Sequence, residues 1–314
     1  MNWPPRWLLN RLSPGGPEAR LHVLLHHRVV AEEQPLVSGL SEAGFAWQLE
    51  LLMRHFNVLP LAEAVSLYLD GRLPPRAVCV TFDDGFADTL NLAMPIAERA
   101  GVPITVFVAT RYLNGGIMFN DRVADALRRT RQRSLDLSEI GLGRFDIDGD
   151  VSRAQAFQRI VDAIKYRTVE ERLALAEAIA DRAEVDRPAS LMLDDEGLRA
   201  LHRKGAEIGA HTHGHPILAL CDDDEARREI GEGKRRLESI LDAPVRLFAY
   251  PNGKPERDFT ARDVELVREA GFDAAFSTGG GAMPSPPDAF RLPRYTPWDR
   301  TEMRYLARLL RYGR

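Results

Sequence analysis

Two clusters in this 314-residue chain carry residue types that do chemistry together. The first is His211-Thr212-His213-Gly214-His215-Pro216, which packs three imidazoles into five residues. Imidazole is the commonest protein ligand for zinc-like ions, so this spacing can place two rings on one side of a metal. Spacing alone leaves the pair open: an extended chain puts all three on one face, a helical turn only His211 and His215. Pro216 biases His215 away from helical geometry. The second cluster is Asp83-Asp84, followed by Gly85. A catalytic zinc takes three protein ligands and keeps one position open, and a carboxylate from this pair is the obvious third ligand. Its neighbour can then stay free as a base beside a metal-bound water, which gives a doubled aspartate a chemical reason. Taken alone, the aspartates also describe an exposed turn and the histidines a polar loop.

The flanking pattern places both clusters. Residues 77–85 read AVCVTFDDG, a short apolar run of the kind buried on both faces in a parallel sheet. The aspartates fall at its carboxyl end, where α/β folds carry their chemistry. A helical pattern over 86–100, Gly101 and the strand PITVFVAT complete a βαβ rhythm. Before them come a strand over 21–30 with His26 and His27 at its far end, and helices over 41–56 and 61–69. The rhythm stops near 112 and resumes near 194. The stretch between, about 113–193, is mostly helical in pattern and reads as an insertion walling one side of the site. Thr168 and Glu171 form a capping box within it, and DIDGD at 146–150 lacks the ligand spacing of a calcium loop and reads as a turn. From 194 onward helix, EIGAHT, helix, RLFAYP, helix, AAFST and FRLPRY follow in order. The acidic run from Asp222 reads as a helix cap, and the glycines at 279–281 as loop. Met303, Leu306, Leu309 and Leu310 give the tail helical spacing and a surface to close the barrel.

Composition narrows the classes. Net charge is −4, against the basic excess of a nucleic-acid binder, so no nucleic-acid partner is expected. Only Lys165, Lys204, Lys234 and Lys254 are lysines. Cys79 falls in a buried strand, so no disulfide is expected. No run approaches the ~20 apolar residues of a membrane span, and the first sixteen residues lack the apolar core of a secretory signal. The expected location is cytoplasmic. Residues 1–20 form an aromatic-basic arm (Trp3, Trp7, Leu8, Leu9, Leu12, Arg6, Arg11) that packs on its own domain or touches the inner face of a membrane.

TFDDG at 81–85, His211-Thr-x-x-His215 and the later AYPNG loop together resemble the NodB-homology polysaccharide deacetylases of carbohydrate esterase family 4. The resemblance spans about 21–297 apart from the insertion. It implies an α/β fold, a distorted (β/α)7 barrel over 21–314, and metal-dependent removal of N- or O-acetyl groups from sugars. It makes Asp83 the general base and Asp84, His211 and His215 the ligands of a divalent metal, zinc first. His213 then lies between ligands without ligating. FAYPNG occupies the third motif, making the Asn252 N–H a donor to the tetrahedral oxyanion. Two departures follow. Ala249 stands where the family commonly has the arginine that orients the base, and no histidine follows His215 to act as general acid. LLHHRV resembles the opening of the branch acting on poly-N-acetylglucosamine, where an N-terminal histidine supplies the acid. On that match His27 is the acid and His26 replaces a tyrosine. Arg291 or Arg294 in FRLPRY stands in for the missing arginine.

The expected partner is an acetylated sugar, glycan or glycan precursor, including lipid-linked and nucleotide-linked ones. Two alternatives stay open: hydrolysis of another C–N amide, such as a purine-derived ureide, on the same fold, and a carbohydrate-binding homologue without catalysis. The sequence leaves the oligomeric state open.

Overall fold

The computed structural model describes residues 6–32, 35–37, 39–279, 283 and 288–312. Trp3 of the arm and Gly280 and Gly281 of the glycine run lie outside them. Seven strands run in chain order around a nearly closed parallel barrel: β1 (Leu21–His26), β2 (Ala77–Phe82), β3 (Ile104–Val108), β4 (Glu207–Ala210), β5 (Leu247–Ala249), β6 (Ala274–Ser277) and β7 (Leu292–Pro293). Closure is made just past β7, where Leu25 N–H donates to Tyr295 O at 3.0 Å and Tyr295 N–H to Val23 O at 3.2 Å. The expected distorted barrel is therefore the observed one. The first strand is shorter than its apolar run: β1 ends at His26, leaving His27 just beyond it.

The helices are α1 (Arg6–Leu12), α2 (Glu42–His55), α3 (Leu61–Leu69), α4 (Met94–Ala100), α5 (Phe119–Arg129), α6 (Asp150–Ile164), α7 (Val169–Arg182), α8 (Asp195–Arg203), α9 (Asp223–Leu241), α10 (Ala261–Glu269) and α11 (Glu302–Tyr312). Their starts follow local chemistry. Asp194 accepts from Gly197 N–H at 2.6 Å and Asp222 from Glu225 N–H at 2.8 Å, satisfying donors that have no partner inside the helix. The helix expected over 86–100 becomes regular only at Met94, after a π-helical turn over Thr89–Ala93. α1 buries Leu9, and its Asn10 accepts from Arg76, so the described part of the arm packs on the barrel. In α11 Leu306 and Leu309 are buried with Tyr305, while Met303 is exposed.

Between α5 and α7 the chain builds a core of its own, with Leu127, Leu135, Phe145, Ile160 and Ile179 buried together. It contains an antiparallel hairpin, Ser134–Leu137 against Gly143–Asp146, that the helical reading missed. Strands of four residues are too short for periodicity to separate from loop.

Candidate active site

Successive strand residues point to opposite faces, and in this barrel the alternation settles what faces the axis. Val23, Cys79, Phe107, Ala249, Phe276 and Leu292 pack together inside, whereas Leu24, Val78, Val80 and Phe82 pack against the helices. Continuing each inward series past the strand ends carries Val23 and Leu25 to His27, Cys79 and Thr81 to Asp83, Gly209 to His211, and Leu292 to Arg294. Four polar side chains from four strands thus converge on the carboxyl-terminal mouth. Gly209 is required below them, because a Cβ there would lie 2.4 Å from the Phe107 ring. Strict alternation would send Asp84 outward. Its backbone instead takes φ +75°, in the left-handed region that non-glycine residues rarely adopt, and its carboxylate joins the same mouth.

There Asp84, His211 and His215 each offer one ligand atom, all within 4.8 Å of one another. Asp84 Oδ1 lies 3.7 Å from His211 Nε2 and 3.5 Å from His215 Nε2. Ligands held tetrahedrally at about 2.1 Å from a zinc would be about 3.4 Å apart, so the spacing suits such an ion. His211 Nδ1 is 2.7 Å from Ala249 O, to which it donates, leaving Nε2 as the lone pair facing the site. Asp84 Oδ1 is buried with no hydrogen-bond partner among the described residues. Burial and then the neighbouring Asp83 charge push the Asp84 carboxyl up to about 8. Burial holds His211 down to about 4 and His215 well below its ordinary value. Two neutral imidazoles and an unpartnered buried carboxylate make a donor set that a divalent cation satisfies.

The turn carrying His215 is held from several sides. Glu229 accepts from His213 N–H at 3.1 Å and Gly214 N–H at 2.6 Å, and Tyr112 donates to Gly214 O at 2.9 Å. Arg172, from α7, donates to His215 O at 3.0 Å. These bonds over-determine a turn in which both Thr212 and His215 have positive φ. The ring of His213 is turned away from Asp84 toward Thr110 Oγ1, 2.9 Å off.

Asp83 has a different environment. Arg294 grips it through Nη1–Oδ1 at 2.7 Å and Nη2–Oδ2 at 2.8 Å. The guanidinium is fully buried and lies over the Phe107 ring at 5.0 Å. Burial works to raise the Asp83 pKa, but the charge and hydrogen bonds of Arg294, helped by His211, outweigh it and hold the carboxyl below its ordinary range. Of the two arginines in FRLPRY, therefore, Arg294 reaches Asp83. Arg291 does not: it sits part-exposed beside Asp288 at 3.6 Å. The geometry corrects its inclusion, since Leu292 faces inward and Arg294 shares that face.

His27 lines the mouth together with Asn252. Burial lowers its pKa, Asp83 pulls it up, and Arg294 pulls it down. His26 points the other way, 5.6 Å from the Phe45 ring and 5.3 Å from Phe82, and burial takes it down to about 3. Asn252 has φ +58°, and its N–H has no acceptor among the described residues. The mouth opens into a cavity of about 400 Å³, walled on one side by Met118, Phe119, Val161 and Lys165 of the inserted region and at the rim by Trp298. Sequence reasoning missed Arg172, Tyr112, Glu229 and Trp298. They act through loop carbonyls, amides and rim exposure, which no spacing advertises.

A family model described as polysaccharide deacetylase matches residues 145–275. That stretch is 131 of the 314 residues, and over it the chain is similar to the family. The matched stretch holds His211 and His215, while Asp83 and Asp84 lie upstream, separated from it by part of the insertion. No curated protein sequence matches the chain. Solved structures of similar fold include the Streptococcus pyogenes deacetylase PplD in complex with acetate, at 16% identity and TM-score 0.60, covering 93% of this chain and 98% of that one. IcaB from Ammonifex degensii aligns at 19% identity and TM-score 0.60, covering 96% and 99%. The BpsB deacetylase domain from Bordetella bronchiseptica aligns at 15% and 0.52, covering 90% and 98%. At these identities the likeness speaks for the barrel, and the site must be argued from its own residues.

Proposed function

We propose that the protein is a metal-dependent deacetylase that removes an N-acetyl group from an N-acetylhexosamine unit of a glycan or glycan precursor. The observation that carries this reading is the separation of two adjacent aspartates: Asp84 faces His211 and His215, and Asp83 is held by Arg294. A divalent cation at the first group supplies Lewis acidity to an acetyl carbonyl and lowers the pKa of water to ~7. Asp83, kept ionised and fixed by Arg294, takes the proton of the attacking water. The Asn252 N–H donates to the oxygen on which charge develops. His27 gives a proton to the departing sugar amine, which would otherwise be a poor leaving group. Its place just beyond β1 supports the reading in which an N-terminal histidine replaces the absent C-terminal one.

The test is acetate release from a panel of N-acetylated and O-acetylated sugars, with and without chelator. The account expects release from an N-acetylated sugar, lost on chelation and restored by zinc or another divalent ion. Release indifferent to chelation contradicts it, and so does hydrolysis confined to ureides or other non-sugar amides.

A further inference from the structure

The chain holds only four lysines, and two of them, Lys165 and Lys254, line the catalytic cavity. They come from two different segments that meet where Arg257 lies over the Tyr166 ring. Lys165 directly follows α6 in the inserted region, and Lys254 lies in the loop after β5, two residues beyond Asn252. The other two lysines are spoken for: Lys204 pairs with Glu98 at 3.0 Å, and Lys234 donates to Ala270 O and Gly271 O at 2.9 and 2.6 Å. Neither cavity lysine has a carboxylate within ion-pair distance among the described residues. Asp258 and Asp162 act on Lys165 from further off, and one oxygen of Asp258 is already engaged by the Lys254 backbone N–H at 3.0 Å. Arg257 adds a third positive charge, over the Tyr166 ring at 5.1 Å. Among the described residues, the cavity lining contributes no carboxylate apart from Asp83 and Asp84, and its polar side chains other than the two lysines are uncharged or imidazole.

Lys165 Nζ lies over the Tyr166 ring at 5.7 Å, and neither ammonium has a carboxylate at ion-pair distance among the described residues, so the two together would repel a glycan already bearing free amines. They suit an anionic oxygen, which lysine binds as a point charge. Trp298 is 63% exposed at the rim with the Arg308 guanidinium 5.9 Å from its ring, and its exposed surface suits contact with a sugar. We propose that Lys165 and Lys254 form an anion subsite beside the deacetylation centre, so that the substrate is an acetylated sugar bearing a phosphate or carboxylate on or next to the acetylated ring. The inference rests on the deacetylase reading and narrows its substrate class.

The experiment is a calorimetric titration of zinc-loaded His27→Ala protein, a variant that removes no fixed charge from the cavity. Three probes are compared at low and high salt: methyl N-acetylglucosaminide, N-acetylglucosamine 1-phosphate, and the disaccharide of glucuronic acid and N-acetylglucosamine. At least one anionic probe should bind about tenfold or more tightly than the neutral one, with the advantage shrinking at high salt. In the same protein carrying Lys165→Gln and Lys254→Gln the advantage should fall to about twofold or less. The tighter arm identifies the anion as phosphate or carboxylate. The proposal is overturned if no anionic probe outbinds the neutral one, whether or not any binds. It is equally overturned if the advantage survives loss of both lysines, which would place the anion on the metal. Chelator-sensitive acetate release by the wild-type protein is scored separately, so an enzyme that deacetylates neutral sugars without anion preference loses this inference alone.

Discussion

Asp83 and Asp84 are identical side chains one peptide apart, and their surroundings pull them in opposite directions. Arg294 and its paired hydrogen bonds stabilise the ionised Asp83, whereas for Asp84 burial and the Asp83 charge outweigh the pull of Arg294. Loss of Arg294 leaves Asp83 a buried carboxylate with no counter-charge. Arg294→Met should therefore destabilise the fold by about 3–5 kcal/mol and cut turnover sharply. Arg291→Ala should stay within about 0.5 kcal/mol of wild type and keep its activity. Denaturant unfolding and acetate release on the two variants check this, and equal effects would show that Arg294 does not serve Asp83. The sequence could name these arginines but not choose between them. The choice needs the register of β7, a two-residue strand whose pattern is too short to announce which side faces in.

At the scale of elements, the chemistry sits where regular structure has just ended. Asp84, His215 and Asn252 all have positive φ, each a conformation costing of order 1–3 kcal/mol for a non-glycine residue. The strands hold that strain from below and the inserted helices from the side. Arg172 shows the second support: it crosses from α7 over the Phe119 ring to the carbonyl of His215, with Nε and Nη1 buried and without a hydrogen-bond acceptor among the described residues. A buried cation without a carboxylate partner contributes little to stability, so an apolar residue of similar length can replace it at small cost. Arg172→Met should leave the melting temperature unchanged or slightly raised while weakening zinc binding about tenfold, because the turn that aims His215 is loosened. Metal titration and thermal unfolding check it together. A parallel loss of both would make Arg172 a packing residue only.

Across the whole molecule, the legible parts were those with long or repeated signals. The βαβ rhythm marked the barrel, and the paired motifs marked the mouth where Asp83, Asp84, His211 and His215 meet. The division of roles between the aspartates came from the family resemblance and is the proposal made above; the structure sets Asp84 beside His211 and His215 and Asp83 against Arg294. Less legible were features set by three-dimensional neighbours: the hairpin at 134–146, the exposure of Met303, the clamp around His215, and the rim with Trp298 and the two lysines. Each depends on which surfaces pack together, which a single strand or helix pattern does not carry. The central claim is that one aspartate holds the metal and the other moves the proton. Zinc content and acetate release measured together on Asp84→Asn and Asp83→Asn test it most directly. The account predicts that Asp84→Asn loses zinc and activity, whereas Asp83→Asn keeps near-stoichiometric zinc and loses turnover by about 10²-fold or more. Equal loss of zinc in both variants, or full turnover in Asp83→Asn, would contradict it.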